Sequence, residues 1–442
     1  MRRERWASRL GFITAAAGSA IGLANIWRFP YLVGQNGGAA FILVYLAFLA
    51  LLGYPLLVAE VSIGRKGGKS PAGSLGSIAG DRSFWRGSGT LTIITGLLIS
   101  SFYAVIAGWV IGYLACSLIG DIHMLDSASS AGTYFKRAVS NPLWSVGFQL
   151  VFIALSTCVL LGGVRRGIEW VSRTLIPLLF LLLILFIVDG LWHDPTAQHL
   201  KFILTPDFSS LTASGVLIAL GQAFFTLSLG QGTMITYGSY LGKESNIVTS
   251  CAMVVIFDTL AALLAAFAVF SIVGLSQASA ASGPGLIFTV LPVAFSTLKG
   301  GYFLCVLFFL LIAIAALTSQ ISAMEPLICR LQEKGLSRAQ AVLTCALLTF
   351  ALGVPSSLSF AYGWGFYNFI TFFSLNILIP IGGLIAAIFV GWIWKTYPAL
   401  QEVNLGVSIR RIQWLYTYFK WAWKYIAISL IIIVFIQTLF QI

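Results

Sequence analysis

The chain has 442 residues, a mean hydropathy of +0.94 and 9% charged residues, against about 25% charged in an ordinary soluble domain, so water cannot be its principal solvent. Its net charge of +12 would suit nucleic acid only if the basic residues formed a patch on a soluble domain. Apolar runs long enough to cross about 30 Å of hydrocarbon as helices recur along almost the whole chain. Eleven are predicted, at about 10–32, 39–63, 88–118, 143–162, 168–190, 213–240, 246–274, 301–327, 338–354, 365–393 and 421–441.

With the N-terminus inside, the outer loops hold only Lys136, Arg137, Lys201 and Lys299, Arg28 lies in the first span, and the other 21 of the 26 basic residues are cytoplasmic. This positive-inside asymmetry predicts a cytoplasmic N-terminus and, after an odd number of spans, an outer C-terminus. The basic excess orients the chain in a bilayer, the partner it implies, and nucleic acid is not expected. The stretch from Arg2 to Arg9 imitates a signal peptide, but the following run is too long and carries Arg28, so it reads as a mature helix. Six cysteines lie in or at the ends of spans without CxxC spacing, and the three histidines fall in outer loops. Neither a disulfide framework, a zinc site nor a triad enzyme is indicated.

No linker divides the chain, so residues 1–442 read as one domain. Two spans are unusual. The first contains Gly18-Ser19-Ala20-Ile21-Gly22-Leu23-Ala24-Asn25 and the sixth Thr226-Leu227-Ser228-Leu229-Gly230-Gln231-Gly232, and both place helix-weakening residues at mid-membrane depth. Non-helical backbone survives there only if buried in protein or lining a wet cavity. The two occupy matching places if spans one to five (10–190) and six to ten (213–393) are copies of one unit, with 421–441 as an extra helix. Broken helices in matching halves place positive helix N-termini beside free carbonyls able to hold a cation. The alternative is that these small residues merely allow close helix packing.

Several stretches in the same order carry a resemblance: Arg5-Trp6-Ala7-Ser8-Arg9-Leu10-Gly11, Asn25-Ile26-Trp27-Arg28-Phe29-Pro30, Gln35-Asn36-Gly37-Gly38, Leu204-Thr205-Pro206-Asp207-Phe208 and Gly221-Gln222-Ala223-Phe224-Phe225-Thr226-Leu227-Ser228-Leu229-Gly230. With these the sequence resembles the neurotransmitter:sodium symporter family, its bacterial amino-acid transporters in particular, over nearly its whole length. The resemblance implies an all-α membrane protein with a five-plus-five inverted repeat, broken first and sixth helices and one additional helix. It implies sodium-coupled symport of a neutral, hydrophobic amino acid into the cell across a bacterial inner membrane by alternating access, not an enzyme. A sodium-dependent sensor or channel of the same fold, or a carrier of amines or osmolytes, stays open as the alternative, and the oligomeric state is undetermined.

By the same resemblance one sodium ion is expected on the Ala20 carbonyl, Asn25, Thr226, Asp258 and the substrate carboxylate. A second is expected on the carbonyls of Gly18, Ile21 and Ala315 and the hydroxyls of Thr318 and Ser319. Sodium, a hard cation, suits such oxygen donors; the alternative for Thr318 and Ser319 is bonding to their own preceding turn. The substrate carboxylate is expected at the N–H groups near Leu23 and Ala24 with the Tyr103 hydroxyl, and its side chain among Ile99, Phe225, Ser228, Gln231, Ser319, Gln320 and Ala323. Gly22 stands where amine-carrying members have an acid, which favours an intact amino acid. Asp258 supplies the negative charge that chloride supplies elsewhere, so chloride is not expected.

Arg28 is expected to cap the pocket beside Tyr103 and Phe225. The family's aspartate in the tenth span is missing, and Thr371 is the polar residue at hand. On the cytoplasmic side Arg3, Trp6, Ser239, Tyr240 and Glu333 match an inner gate. Glu60, an acid inside the second span, is suited to accept orphan N–H groups at the helix breaks. Gly167 and Pro177 mark a place where the fifth helix can unwind, or a static kink.

Overall fold

The computed structural model describes residues 4–125, 127–193, 198–276, 286–405 and 413–440. Among them the chain is helical throughout, and its elements begin and end where the sequence supplies caps. The Ser8 side chain accepts from Gly11 N at the start of the first helix, Asn141 accepts from Leu143 N and Trp144 N ahead of Pro142, and Ser337 and Gln340 form a reciprocal capping box. Left-handed glycines, Gly68 and Gly363, close the second and ninth spans.

Nine helices among the described residues are long and apolar enough to cross a membrane: Ala39–Gly67, Ser83–Leu118, Pro142–Leu161, Val164–Trp192, Ile247–Ile272, Gly301–Glu333, Arg338–Tyr362, Phe366–Ile393 and Leu415–Leu439. The first span is a bent pair, Arg9–Ala20 and Ala24–Gln35, turning by 58° at its break. The sixth is two short helices, Ala213–Phe225 and Thr233–Gly238, so it fails a length test that the other spans pass. The eleven expected segments are therefore all present. Several run longer than the apolar runs that announced them: the third starts at Ser83, the eighth reaches Glu333 and the ninth Tyr362. Hydropathy falls off at the headgroups, whereas the backbone ladder continues until a cap interrupts it.

The third and eighth spans form the centre. Their most apolar windows are 72% and 67% buried within the protein, against 28% for the eleventh, which lies at the periphery. Two clusters of buried apolar side chains flank the breaks, one including Phe29, Tyr45, Leu56 and Phe224, the other Ile26, Trp109, Phe288 and Ile312. The tenth span backs the sixth: a Cβ on Gly230 would lie 2.3 Å from the Ile379 carbonyl oxygen, and one on Gly382 only 1.8 Å from that of Gly230.

Candidate functional site

The first helix ends at Ala20, where Ile21 turns to ψ 90°. The break frees carbonyls and amides in the middle of the protein, and side chains from three other spans meet them. Ser319 Oγ lies 3.5, 3.2 and 3.4 Å from the carbonyl oxygens of Gly18, Ser19 and Ile21, and Ser228 donates to the Ser19 carbonyl at 2.9 Å. Gly22 N donates to Asn25 Oδ1 and Leu23 N to the Tyr103 hydroxyl, both at 3.4 Å. In the sixth span, residues 226–232 leave the helix through left-handed conformations at Ser228 (φ 54°), Gly230 and Gly232 (both φ 78°). A non-glycine residue at positive φ is uncommon, and Ser228 is held there by its bond to Ser19. Gly230 N, freed by the same break, donates to Glu60 Oε1 at 2.7 Å, with Glu60 only 1% exposed. The lone acid of the second span thus stands at the sixth break, as its position suggested.

Asp258 is fully buried. Its carboxylate accepts from Asn25 Nδ2 at 2.7 Å and Thr226 Oγ1 at 2.8 Å, and among the described residues no lysine or arginine pairs with it. Burying a charge with neutral partners alone is expensive, and an oxygen-rich pocket around an uncompensated carboxylate fits a hard cation. Ala20, 5% exposed, is the last residue of the first half-helix. The second expected set also converges: Thr318, 1% exposed, packs on Gly18, whose Cβ would stand 3.2 Å from its own, and Ser319 reaches the Gly18 and Ile21 carbonyls. The Thr318 hydroxyl meanwhile donates to Ile314 O and Ala315 O at 3.2 and 3.1 Å, the local back-bond that the sequence left open.

The third span presents Gly96, Ile99 and Tyr103 towards both breaks. A Cβ on Gly96 would lie 3.0 Å from the Gln231 carbonyl and 3.1 Å from that of Ala323, so three elements approach closely there. Gln320 spends its amide N–H on the Ser100 carbonyl at 3.1 Å and leaves its own buried oxygen unpartnered. A Cβ on Gly22 would meet polar side-chain ends, 2.9 Å from Ser319 Oγ and 3.5 Å from the Tyr103 hydroxyl. On the opposite side of the break, half-buried Ala24 opens a wide helical turn that ends at Arg28. The Arg28 guanidinium lies over the Phe225 ring, 5.6 Å from its centroid, with no carboxylate pairing it among the described residues. Thr371 corrects an expectation: its hydroxyl is buried and makes no bond to Arg28, because the aromatic face takes the place of a polar partner.

At the end that carries the N-terminus, Trp6 is 7% exposed, donates Nε1 to the Tyr237 carbonyl at 2.9 Å and sets its ring edge-on to Tyr237 and Tyr240. Arg3 lies outside the described residues. Glu333 accepts from Ser70 N and Oγ and pairs with Arg330 at 3.1 Å. The Tyr240 hydroxyl donates to Glu325 at 2.7 Å, a fully buried carboxylate held two-pronged by Arg338 at 2.7 and 2.8 Å. The sequence reading missed this buried cluster joining the sixth, eighth and ninth spans, although an acid inside an apolar helix just before Pro326 was its signal. It also missed Glu169, 2% exposed, which accepts from Ala7 N at 2.7 Å and Ser8 Oγ at 3.2 Å and fastens the start of the first span to the fifth. Gly167 is where the fourth and fifth spans touch: a Cβ would fall 2.0 Å from the Val159 carbonyl. The backbone widens into a π-helical turn at Val164–Glu169, yet the helix runs on through Pro177 without unwinding in this conformation.

A membrane-spanning helical fold broken twice around buried, oxygen-rich groups is the architecture of a sodium-dependent transporter, and the relatives are transporters rather than enzymes. A sodium-dependent transporter of Bacillus subtilis, YhdH, described as uncharacterized, is 38% identical over 445 residues, covering 98% of this chain and 97% of the relative. A second such protein, from Haemophilus influenzae, is 32% identical over 456 residues, covering 99% of each. The crystal structure of MhsT in complex with L-phenylalanine matches with a TM-score of 0.87 at 39% identity, covering 99% of this chain and 100% of that one. The description of the sodium:neurotransmitter symporter family matches residues 3–133 and 138–442, and the chain belongs to that family.

Proposed function

We propose that the protein couples the entry of a neutral, apolar amino acid into the cell to the sodium gradient, using two sodium sites and no chloride. The observation that carries this reading is Asp258, a buried carboxylate offered only neutral donors, beside two helix breaks that Ser228 joins through its bond to the Ser19 carbonyl. Asn25, Thr226, Asp258 and the Ala20 carbonyl would hold one ion. The carbonyls of Gly18, Ile21 and Ala315 with Thr318 and Ser319 would hold the other. A substrate carboxylate at Leu23, Ala24 and Tyr103 completes the first sphere, so ion and substrate each raise the affinity for the other. The fixed charge of Asp258 replaces a dissociable anion.

With glycine at position 22 no acidic side chain is there to hold an amine, and the L-phenylalanine bound by the MhsT relative supports an amino acid with a large apolar side chain. Ile99, Phe225, Ser228, Gln231, Gln320 and Ala323 would surround that side chain, with Arg28 and Phe225 closing the outer side. Alternating access follows if sodium and substrate favour the state in which Trp6, Tyr240, Glu325 and Glu333 close the inner end. The excess of basic residues at that end supports its placement in the cytoplasm of a bacterial inner membrane. Counterflow of labelled phenylalanine in proteoliposomes, with and without sodium, tests the reading. Sodium-dependent exchange that persists when gluconate replaces chloride is expected, whereas binding without exchange would indicate a sensor.

A further inference from the structure

At the end carrying the N-terminus lies a cavity of about 910 Å³ lined by Glu4, Arg5, Leu161, Arg165, Arg166 and Arg338. Its charges are unbalanced. Arg338 is engaged by Glu325, and Glu4 is spent on Val164 N at 2.5 Å. Arg165 donates Nε to the Arg5 carbonyl at 3.0 Å, which ties the N-terminal segment to the turn after the fourth span. The guanidiniums of Arg5 and Arg166 have no hydrogen-bond or ion-pair partner among the described residues. Elsewhere at this end the arrangement differs: Arg65 pairs with Glu402, Arg86 with Asp81 and Arg330 with Glu333. Arg5, Arg165 and Arg166 therefore surround one cavity against the single negative charge of Glu4, which leaves a net positive lining.

The surroundings identify the depth. Leu161, on the cavity wall, is 44% exposed, and Trp170, four residues beyond Arg166 in the fifth span, is 64% exposed. Exposed tryptophan marks the level where headgroups meet acyl chains, and planar guanidiniums match phosphate oxygens in pairs. We propose that this cavity binds the phosphate of an anionic phospholipid headgroup. Basic pockets on the cytoplasmic side of helical membrane proteins suit such headgroups. A phosphate held between Arg5 and the Arg165–Arg166 turn adds a further fastening between the N-terminal segment and the fifth span. Under the alternating-access reading this slows opening of the inner end, but the binding site stands independently of that reading.

The test is native mass spectrometry of the full chain, purified in detergent and offered phosphatidylglycerol or phosphatidylcholine, with wild type beside Arg165→Gln/Arg166→Gln and Arg165→Lys/Arg166→Lys. Wild type is expected to retain phosphatidylglycerol in preference to phosphatidylcholine. The glutamine pair should lose that retention about tenfold or more, since two basic side chains are each worth a few-fold in affinity for an anionic lipid, while the lysine pair should keep most of it. Sodium-stimulated phenylalanine binding should be alike in all three, which separates failure of this site from failure of the transport reading. Equal phosphatidylglycerol retention by wild type and the glutamine pair overturns the proposal. Displacement of the lipid by millimolar glycerol 1-phosphate overturns the lipid assignment in favour of a soluble phosphate.

Discussion

Replacing Asp258 by asparagine removes one unit of charge from the first proposed sodium site while keeping the shape of the side chain. Its oxygen can still accept from Asn25 or Thr226, which now bond it at 2.7 and 2.8 Å, so the fold is not expected to suffer. What is lost is attraction for the ion. Two unit charges about 4 Å apart at an effective dielectric of about 20 interact by about 4 kcal/mol. The neighbouring carbonyls and the asparagine dipole return part of this. Sodium affinity should therefore fall by between about 10-fold and 1,000-fold, at about 1.4 kcal/mol for each factor of ten. The assay is equilibrium binding of labelled phenylalanine to purified protein as a function of sodium. A half-saturating sodium concentration within about twofold of wild type, roughly 0.4 kcal/mol on the same scale, would refute the assignment of Asp258 as the fixed counter-charge.

Three further substitutions probe the geometry. Gly22→Asp puts a Cβ 2.9 Å from Ser319 Oγ and a carboxylate at the break where the substrate carboxylate is proposed to sit, so affinity for an intact amino acid should fall about tenfold or more in the same assay, and wild-type affinity would contradict that placement of the substrate carboxylate. Glu325→Gln leaves Arg338, 15% exposed, without its charge partner; breaking a buried pair costs about 3–5 kcal/mol, which should appear as a clear drop in the thermal unfolding midpoint in detergent. An unchanged midpoint would show that water already compensates Arg338. Gly167→Ala drives a methyl towards the Val159 carbonyl, 2.0 Å away, and overpacking of this kind costs about 1–3 kcal/mol. The expected consequence is a looser junction of the fourth and fifth spans, seen as faster amide exchange at residues 159–169, and wild-type exchange would argue that the junction yields without strain.

Much of the architecture was legible because a bilayer demands it. Spans of 18 or more apolar residues, basic residues sorted to one side and glycines at mid-depth in the first and sixth spans follow from the cost of unsatisfied backbone in hydrocarbon. That local chemistry also marked Glu60 as a partner for freed N–H groups and Asp258 as a charge needing a reason. What the sequence could not supply was pairing between residues far apart in the chain. It gave no hint that the Tyr240 hydroxyl donates to Glu325, an acid clamped by Arg338. It set Arg28 beside Phe225, where the guanidinium lies over the ring, but it could not tell that the Thr371 hydroxyl makes no bond to it.

The sequence by itself determined that this is a helical membrane protein with two interrupted spans, since hydropathy and helix-breaking residues act locally. Only the tertiary structure decided which side chains meet at those interruptions, why Gly167 admits nothing larger, and where arginines gather in excess of acids. Those outcomes depend on distances of a few ångströms between segments separated by hundreds of residues, and only close packing sets them.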